Sequence, residues 1–216
     1  MLQADLYEQS VSLESYLSAH DCQACGFADR QEFLVRLKEG KIRPESCRIS
    51  KERLLALHWA ARPETLLPPV EVLQMPNPGP CGLYPINEPD EASSILVSGN
   101  SQLTIEVLSA VLSTTTSSFW YLVADTQGHT VDMALVYKIF TADVIEKAFK
   151  QAEMDINISK TTLFLPGLAK HLCEELGKRL HFPVKAGPVC AAELPLFFGA
   201  VDWQISIEQP GSFIGD

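Results

Sequence analysis

The chain has 216 residues, of which 46% are hydrophobic and 20% charged, and its formal net charge is −10. This composition is typical of a globular protein with one core, or with one core and a small second domain. An acidic body argues against binding through the phosphate backbone of nucleic acids, which requires a basic surface. The N-terminus lacks a basic-then-apolar leader pattern and no stretch has the apolarity of a membrane span, so we expect a cytoplasmic protein.

Residues 1–60 are predicted to form a small helical domain that contains three cysteines. Apolar residues recur at helical spacing over residues 13–17, 33–37 and 54–58. Gly40 is expected to end the second of these helices.

Residues 61–92 are predicted to form a proline-rich linker. Eight prolines fall between positions 63 and 90. This density excludes a helix or a central strand, because proline lacks a backbone N–H and has a fixed φ. The segment is therefore expected to be extended and to contain the domain boundary.

Residues 93–216 alternate between strand and helix patterns, which predicts an α/β domain with a Rossmann-like parallel sheet and covering helices. Thr141 is the expected N-cap of one helix. The predicted strands are 94–97, 119–124, 161–165 and 183–186, and the predicted helices are 103–112, 131–139, 142–152, 168–180 and 191–198.

Each predicted strand ends in a loop of small or polar residues. In open parallel sheets, ligands bind outside the carboxyl ends of the strands, and small residues let a large ligand approach the backbone. The same residue types are common in any strand-to-helix connection. The layout alone therefore leaves a ligand site and an ordinary set of connections both open.

Three of the six cysteines, Cys22, Cys25 and Cys47, are the candidate metal ligands. A Cys-x-x-Cys pair in a chain without a secretory leader indicates metal or redox chemistry rather than structural disulfides. Cys173 and Cys190 lie in apolar helical patterns and are predicted to be buried, inert thiols.

The cysteine pattern resembles the iron–sulfur domain of the corrinoid iron–sulfur protein of acetyl-CoA metabolism. The resemblance covers roughly residues 13–47, and the third cysteine of the family pattern falls on Arg30. The positions that match are Cys22, Cys25, Gly26, Phe33, Leu37, Gly40 and Cys47.

Arg30 leaves three interpretations open, because a [4Fe–4S] cluster normally has four thiolate ligands and a protonated guanidinium cannot ligate iron. In the first interpretation, the cluster has been lost and the fold kept. A cluster on three cysteines could take a fourth ligand from outside the chain or from Asp29, Asp21 or Cys81. Zinc, with His20 or His58 as an additional ligand, and a redox thiol pair are the third interpretation.

Residues 93–200 resemble the corrinoid-binding domain of the same family. The resemblance is carried by residues 95–104, 120–128 and 163–172, and by 185–188 before 191–198. It implies a corrinoid (cobalamin) held base-off at the strand ends, with no protein side chain on the lower face of the cobalt. The implied binding residues are Ser98, Gly99, Asn100, Ser101, Thr104, Asp125, Thr126, Gly128, Pro166, Gly167, Gly187 and Pro188.

The chain also departs from this family. The barrel domain that separates the two modules in the family is replaced by the proline-rich linker. The loop after the first strand has no cysteine, so the cobalt–cysteine chemistry of mercury-methylating relatives is not supported. His129 is interpreted as a solvated loop residue, and His171 and His181 as structural residues.

Two functional hypotheses follow. In the first, the chain is a corrinoid methyl carrier that acts with a methyltransferase or a corrinoid reductase and is at most one component of an enzyme system. In the second, it is a non-catalytic relative that keeps the fold for protein interaction, regulation or corrinoid storage. Arg30 and the missing barrel favour the second hypothesis, and the glycine-containing loops favour the first.

Overall fold

A computed structural model describes residues 13–18, 22–23, 25–42, 48–69, 76–152 and 161–206. Its centre is a five-stranded sheet in the order β1-β3-β2-β4-β5. All neighbouring strands pair in parallel except β1, which pairs antiparallel with β3. The strands are β1 (Gly82–Ile86), β2 (Ser94–Gly99), β3 (Phe119–Ala124), β4 (Leu163–Leu165) and β5 (Val184–Ala186).

Eight α-helices are described around this sheet and before it. Three short 3-10 helices accompany them, at Pro63–Thr65, Gly167–Leu172 and Ala191–Glu193. The α-helices are α1 (Leu13–Tyr16), α2 (Arg30–Lys38), α3 (Lys51–Ala61), α4 (Gln102–Leu112), α5 (Val131–Val136), α6 (Ala142–Gln151), α7 (Cys173–Leu180) and α8 (Leu194–Asp202).

The predicted α/β fold is confirmed, with its strands and helices close to the predicted positions. Thr141 caps α6 as predicted, because its hydroxyl accepts a hydrogen bond from the Val144 N–H at 3.4 Å. Two predicted helices begin with a 3-10 turn, at Gly167–Leu172 and Ala191–Glu193, and the last one continues to Asp202.

The proline-rich segment contains a strand that the sequence analysis missed. Residues 82–86 form β1 and pair with β3, with Gly82 opposite Val123 and Ile86 opposite Phe119. Pro85 is tolerated because β1 is an edge strand, where a missing N–H does not interrupt a central ladder. Residues 82–86 of the predicted linker therefore belong to the sheet, whereas the domain boundaries at 60/61 and 92/93 remain predictions.

The sheet separates two hydrophobic clusters. Successive side chains of a strand point to opposite faces, so Ile95 and Val97 pack with α5, α6 and α7, whereas Leu96 packs with α4 and α8. Both faces of the central strand are covered, which explains its nearly continuous apolar sequence.

The N-terminal helices pack against α8 through a third cluster, which combines Phe33 and Leu57 with Leu196. At this junction Glu193 is 4% exposed. Its carboxylate accepts hydrogen bonds from the Tyr16 hydroxyl at 3.2 Å and from the Cys190 N–H at 3.1 Å. Burial, together with the Glu193 carboxylate, raises the pKa of Tyr16 to about 12, so the hydroxyl stays protonated and donates.

Among the described residues, no helix has the length and apolar character that crossing a membrane requires.

Glu193 should make folding stability depend on pH. Burial raises the pKa of its carboxyl above the ordinary value of 4.5, so above that pH the folded state holds a proton that the unfolded state has released. The contribution of Glu193 to the free energy of unfolding therefore falls as pH rises through this window, by ~1.4 kcal/mol per unit of pKa difference.

The measurement is urea unfolding of the wild type and of Glu193→Gln across this pH range. The wild type should lose stability relative to the permanently neutral variant as pH rises. A stability difference that stays constant with pH would contradict the assignment.

Candidate functional site

The carboxyl ends of β2 and β4 lie side by side where the chain changes direction across the sheet. The chain leaves β2 through α4 to reach β3, which is the neighbour of β2 on one side. It leaves β4 through α7 to reach β5, on the other side. Such a switch point opens a crevice at the strand ends, and ligands of open α/β sheets bind in crevices of this kind.

A cleft of about 580 Å³ occupies this crevice. Its volume lies in the range of small-molecule and cofactor sites, about 300–1,000 Å³. The lining is mostly apolar, and the polar groups in it are a few hydroxyls, one thiol and two carboxyls. The apolar lining includes Leu67, Leu103, Val107, Leu108, Val131, Phe164, Leu168, Val189 and Leu194, and the polar lining comprises Ser98, Thr104, Thr130, Cys190, Glu64 and Asp132.

The linker provides one wall of the cleft. Pro63, Leu67 and Pro69 line it, and they follow α3 directly. A molecule in the cleft would therefore touch the segment that leaves the helical domain as well as the strand ends. The sequence analysis did not assign these residues to the site, because proline-rich sequence indicates extended chain without indicating what it packs against.

Five of the predicted binding residues line the cleft. They are Ser98, Thr104, Pro166, Gly187 and Pro188. The hydroxyl of Ser98 is already 2.6 Å from the Tyr121 hydroxyl, and burial raises the pKa of Tyr121 well above its usual value. Thr104 lies in the first turn of α4.

The other predicted binding residues lie outside the cleft lining, and most of them contact one another. Asn100, 3% exposed, is at the centre of these contacts. Its side-chain oxygen accepts hydrogen bonds from the backbone N–H of Thr126 at 2.8 Å and of Gly128 at 3.0 Å. The backbone N–H of Asn100 donates to the Thr126 hydroxyl at 3.1 Å. The residues outside the lining are Gly99, Asn100, Ser101, Asp125, Thr126, Gly128 and Gly167.

Residues 76–80, called here the crossing segment, pass between the loops that follow β2 and β3. The Asn77 N–H donates to the Gly128 carbonyl at 3.2 Å, and the Gly79 N–H donates to the Asn100 carbonyl at 2.6 Å. The Gln102 N–H in turn donates to the Asn77 carbonyl at 2.9 Å. The chain itself thus covers the part of the sheet edge above β3.

Gly99 and Gly128 have packing roles in this covered part. A Cβ on Gly99 would lie 2.6 Å from the Thr126 side chain, and one on Gly128 would lie 2.5 Å from the Pro78 nitrogen. Gly128 also has φ +78°, in the left-handed region that favours glycine. These close approaches between chain segments explain why both positions are glycine. A bound ligand is not needed to explain them.

The described part of the cysteine module does not form a metal site. Cys22 is buried and directs its thiol to the Ser18 carbonyl at 3.7 Å. Cys25 is in a disulfide, and a disulfide sulfur is not a thiolate ligand. Cys47, His20 and Asp21 lie outside the described residues. Over the described ranges, no three or more His, Cys, Asp or Glu side chains form a group that could hold a metal.

The structure also locates Arg30 and two of the alternative fourth ligands, Asp29 and Cys81. Arg30 is exposed at the first position of α2, and Asp29 caps that helix by accepting from the Glu32 N–H at 2.8 Å. Cys81 is an exposed residue beside Asn100 and Asp125. Partial desolvation of its thiol, followed by the Asp125 charge, raises the pKa of that thiol.

Comparison with known proteins gives a family match to the part of the chain that contains the sheet. The family profile for the CO dehydrogenase/acetyl-CoA synthase delta subunit matches residues 73–198. This range includes all five strands and begins after the cysteine pattern.

Curated relatives match about half of the chain. The acetyl-CoA decarbonylase/synthase complex subunit gamma 2 of Methanosarcina thermophila is 33% identical over 118 residues, which are 54% of this chain and 25% of that protein. The gamma subunit of Methanopyrus kandleri is 29% identical over 116 residues, with 54% and 25% covered. The gamma subunit of Methanosarcina acetivorans is 31% identical over 116 residues, with 53% and 25% covered. The matched part is thus about a quarter of the length of these relatives.

Asn100→Ala should destabilise the protein by about 2–4 kcal/mol, because two buried N–H groups lose their acceptor. Asn77→Ala is the matched control, since the Asn77 contacts described above use only its backbone. Urea unfolding measures the stability, and hydrogen exchange at Gly128 measures the local effect. Equal stability of the two variants, with slow exchange at Gly128 in both, would contradict the role of Asn100.

Proposed function

This chain belongs to the CO dehydrogenase/acetyl-CoA synthase delta subunit family, and on that premise we propose that it binds a corrinoid in the cleft at the switch point. The chain would act there as a methyl carrier, as one component of a methyltransferase system in acetyl-CoA metabolism. The observation that carries the proposal is the position of the cleft, because a ligand-sized volume lies at the strand ends that resemble a corrinoid-binding domain.

The lining of the cleft fits a corrinoid. A corrin is a broad, flat ring with an apolar body and uncharged amide side chains. Leu103, Val107 and Leu168 offer apolar contact for the ring, and the hydroxyls of Thr104 and Thr130 can hydrogen-bond its amides. Gly187 adds no side chain at the mouth of the cleft.

The lining also fits base-off binding without a protein ligand to cobalt. Among the described residues that line the cleft there is no histidine. Cys190 is the one thiol there, and burial raises its pKa, so at neutral pH it stays protonated and is a poor metal ligand. His129, next to the lining, packs its ring against Tyr137 with centroids 5.1 Å apart.

The bound corrinoid would supply the cobalt that accepts and releases the methyl group. The role of the protein would be to hold the ring and to fix its orientation through the Thr104 and Thr130 hydroxyls. Its apolar wall would keep water from the face of the ring that it contacts. The linker residues Pro63–Pro69 would close the side next to the helical domain.

We propose that electrons and methyl groups reach the site from other proteins. The described residues do not supply the four thiolates of an iron–sulfur cluster, because Arg30 stands at the third cysteine position of the family pattern and a guanidinium cannot ligate iron. A methyltransferase and a corrinoid reductase are the expected partners. The names of the relatives support protein partners in general, since each relative is named as a subunit of a complex.

The second candidate function is a non-catalytic role in protein interaction, regulation or corrinoid storage. The crossing segment favours it, because that segment occupies the sheet edge where the predicted residues Asp125, Thr126 and Gly128 would otherwise face a ligand. Cobalamin binding by the wild type separates the carrier from a role in interaction or regulation, and transfer of a methyl group from the bound methylcorrinoid separates it from storage.

Thr104→Trp should weaken cobalamin binding by about tenfold or more, because the indole enters the cleft and each tenfold corresponds to ~1.4 kcal/mol. Ser109→Trp is the matched control, since Ser109 is exposed and lies on the same helix. Anaerobic equilibrium dialysis measures both affinities, and circular dichroism verifies folding. Unchanged binding by folded Thr104→Trp would place the corrinoid elsewhere, and no binding by the wild type would favour the non-catalytic role.

A further inference from the structure

We propose that the outer face of α5 binds a second copy of this chain in an antiparallel, two-fold arrangement. This inference is independent of the proposed function. It follows from a group of exposed apolar side chains on that helix and from the charges at the two ends of the helix.

Exposed apolar side chains are concentrated at α5. Among the described residues, six large hydrophobic side chains are exposed, and three of them, Met133, Val136 and Tyr137, belong to this helix and its C-cap. Their spacing of three and four positions places them on one face of the helix. Val136 is 71% exposed and Tyr137 is 56% exposed, so the described part of the chain leaves this face uncovered.

The apolar surface continues from α5 to the neighbouring 3-10 turn. The turn Gly167–Leu172 packs against α5, and Ala134 and Ala169 belong to the same hydrophobic cluster. Leu168 on this turn is a fourth exposed apolar side chain, and it also lines the cleft. Exposed apolar side chains that are grouped in this way mark an interaction site, whereas single ones scattered over a surface do not.

The charges at the ends of α5 indicate that the occupant is a second copy. Asp132 lies in the first turn of the helix, and Lys138 directly follows the C-cap. Neither side chain has an ion-pair partner among the described residues. When two copies of α5 lie antiparallel about a two-fold axis near Leu135, Asp132 of each copy faces Lys138 of the other. The two ion pairs are then equivalent, as a two-fold interface requires.

The apolar side chains match in the same arrangement. The position opposite Met133 is Tyr137 of the second copy, and a methionine sulfur beside an aromatic ring is a favourable contact. The His129 ring packs against Tyr137 within the chain, which limits the orientations of the phenol ring before the copies associate. Antiparallel helices also bring opposite ends of their dipoles together.

The interface is small, because α5 spans only Val131–Val136. Small interfaces are weak, so we expect a dissociation constant of about 1–100 µM. Sedimentation velocity of the full chain across this concentration range should show a monomer–dimer equilibrium. A monomer at every concentration would overturn the proposal and leave this surface for a different protein.

Val136→Asp should raise the dissociation constant about tenfold or more, because it buries a carboxylate at the centre of the interface. Val201→Asp is the matched control, since Val201 is also exposed but lies on α8, and it should leave the dissociation constant unchanged. Circular dichroism verifies that both variants fold. Equal dissociation constants of the two variants would overturn the proposal.

The antiparallel pairing is tested by reversing one charge at a time. Lys138→Asp and Asp132→Lys should each weaken self-association, because like charges then face each other in both pairs. An equimolar mixture of the two variants should form a heterodimer, since the two acidic ends of one chain meet the two basic ends of the other. Failure of the mixture to associate, while the wild type forms a dimer, would overturn the antiparallel arrangement.

Discussion

The side chain of Asn100 holds together three chain segments at the carboxyl end of the central strand. It accepts from the loop after β3 through Thr126 and Gly128, and it donates to the Gly79 carbonyl of the crossing segment at 3.3 Å. Buried N–H groups need partners, and at this edge of the sheet one amide supplies several of them. The edge above β3 is closed by these bonds, so the open crevice lies between β2, β4 and α4.

This division of the sheet edge determines what the site can do. The closed half contains polar groups that are satisfied within the protein, whereas the open half is apolar with a few hydroxyls and two carboxyls. Such a cleft favours a large, neutral or cationic ligand with apolar faces, and a corrinoid meets this description. Pro63, Leu67 and Pro69 line the cleft directly after α3, and Glu193 binds the Tyr16 hydroxyl in the adjacent turn, so the N-terminal helices lie next to the cleft without lining it.

The fold could be predicted from the sequence wherever hydrophobic periodicity and local capping determine it. β3 and α6 are examples, and Thr141 acts as the predicted cap. β1 was missed because three prolines surround or interrupt it, and only pairing with β3 shows that an edge position tolerates Pro85. The site could be predicted only in part. The sequence indicates polar loops at the strand ends, but not that Asn100 and Thr126, 26 positions apart, bind each other instead of facing a ligand.

The central claim is that the open cleft holds a corrinoid without a nitrogen ligand below the cobalt. The most direct measurement is the electron paramagnetic resonance spectrum of cob(II)alamin in the presence of excess anaerobic protein. We predict that the splitting from the axial nitrogen disappears, since the base leaves the cobalt and the described lining contains no histidine to replace it. A spectrum that retains the nitrogen splitting of free cob(II)alamin would contradict the claim.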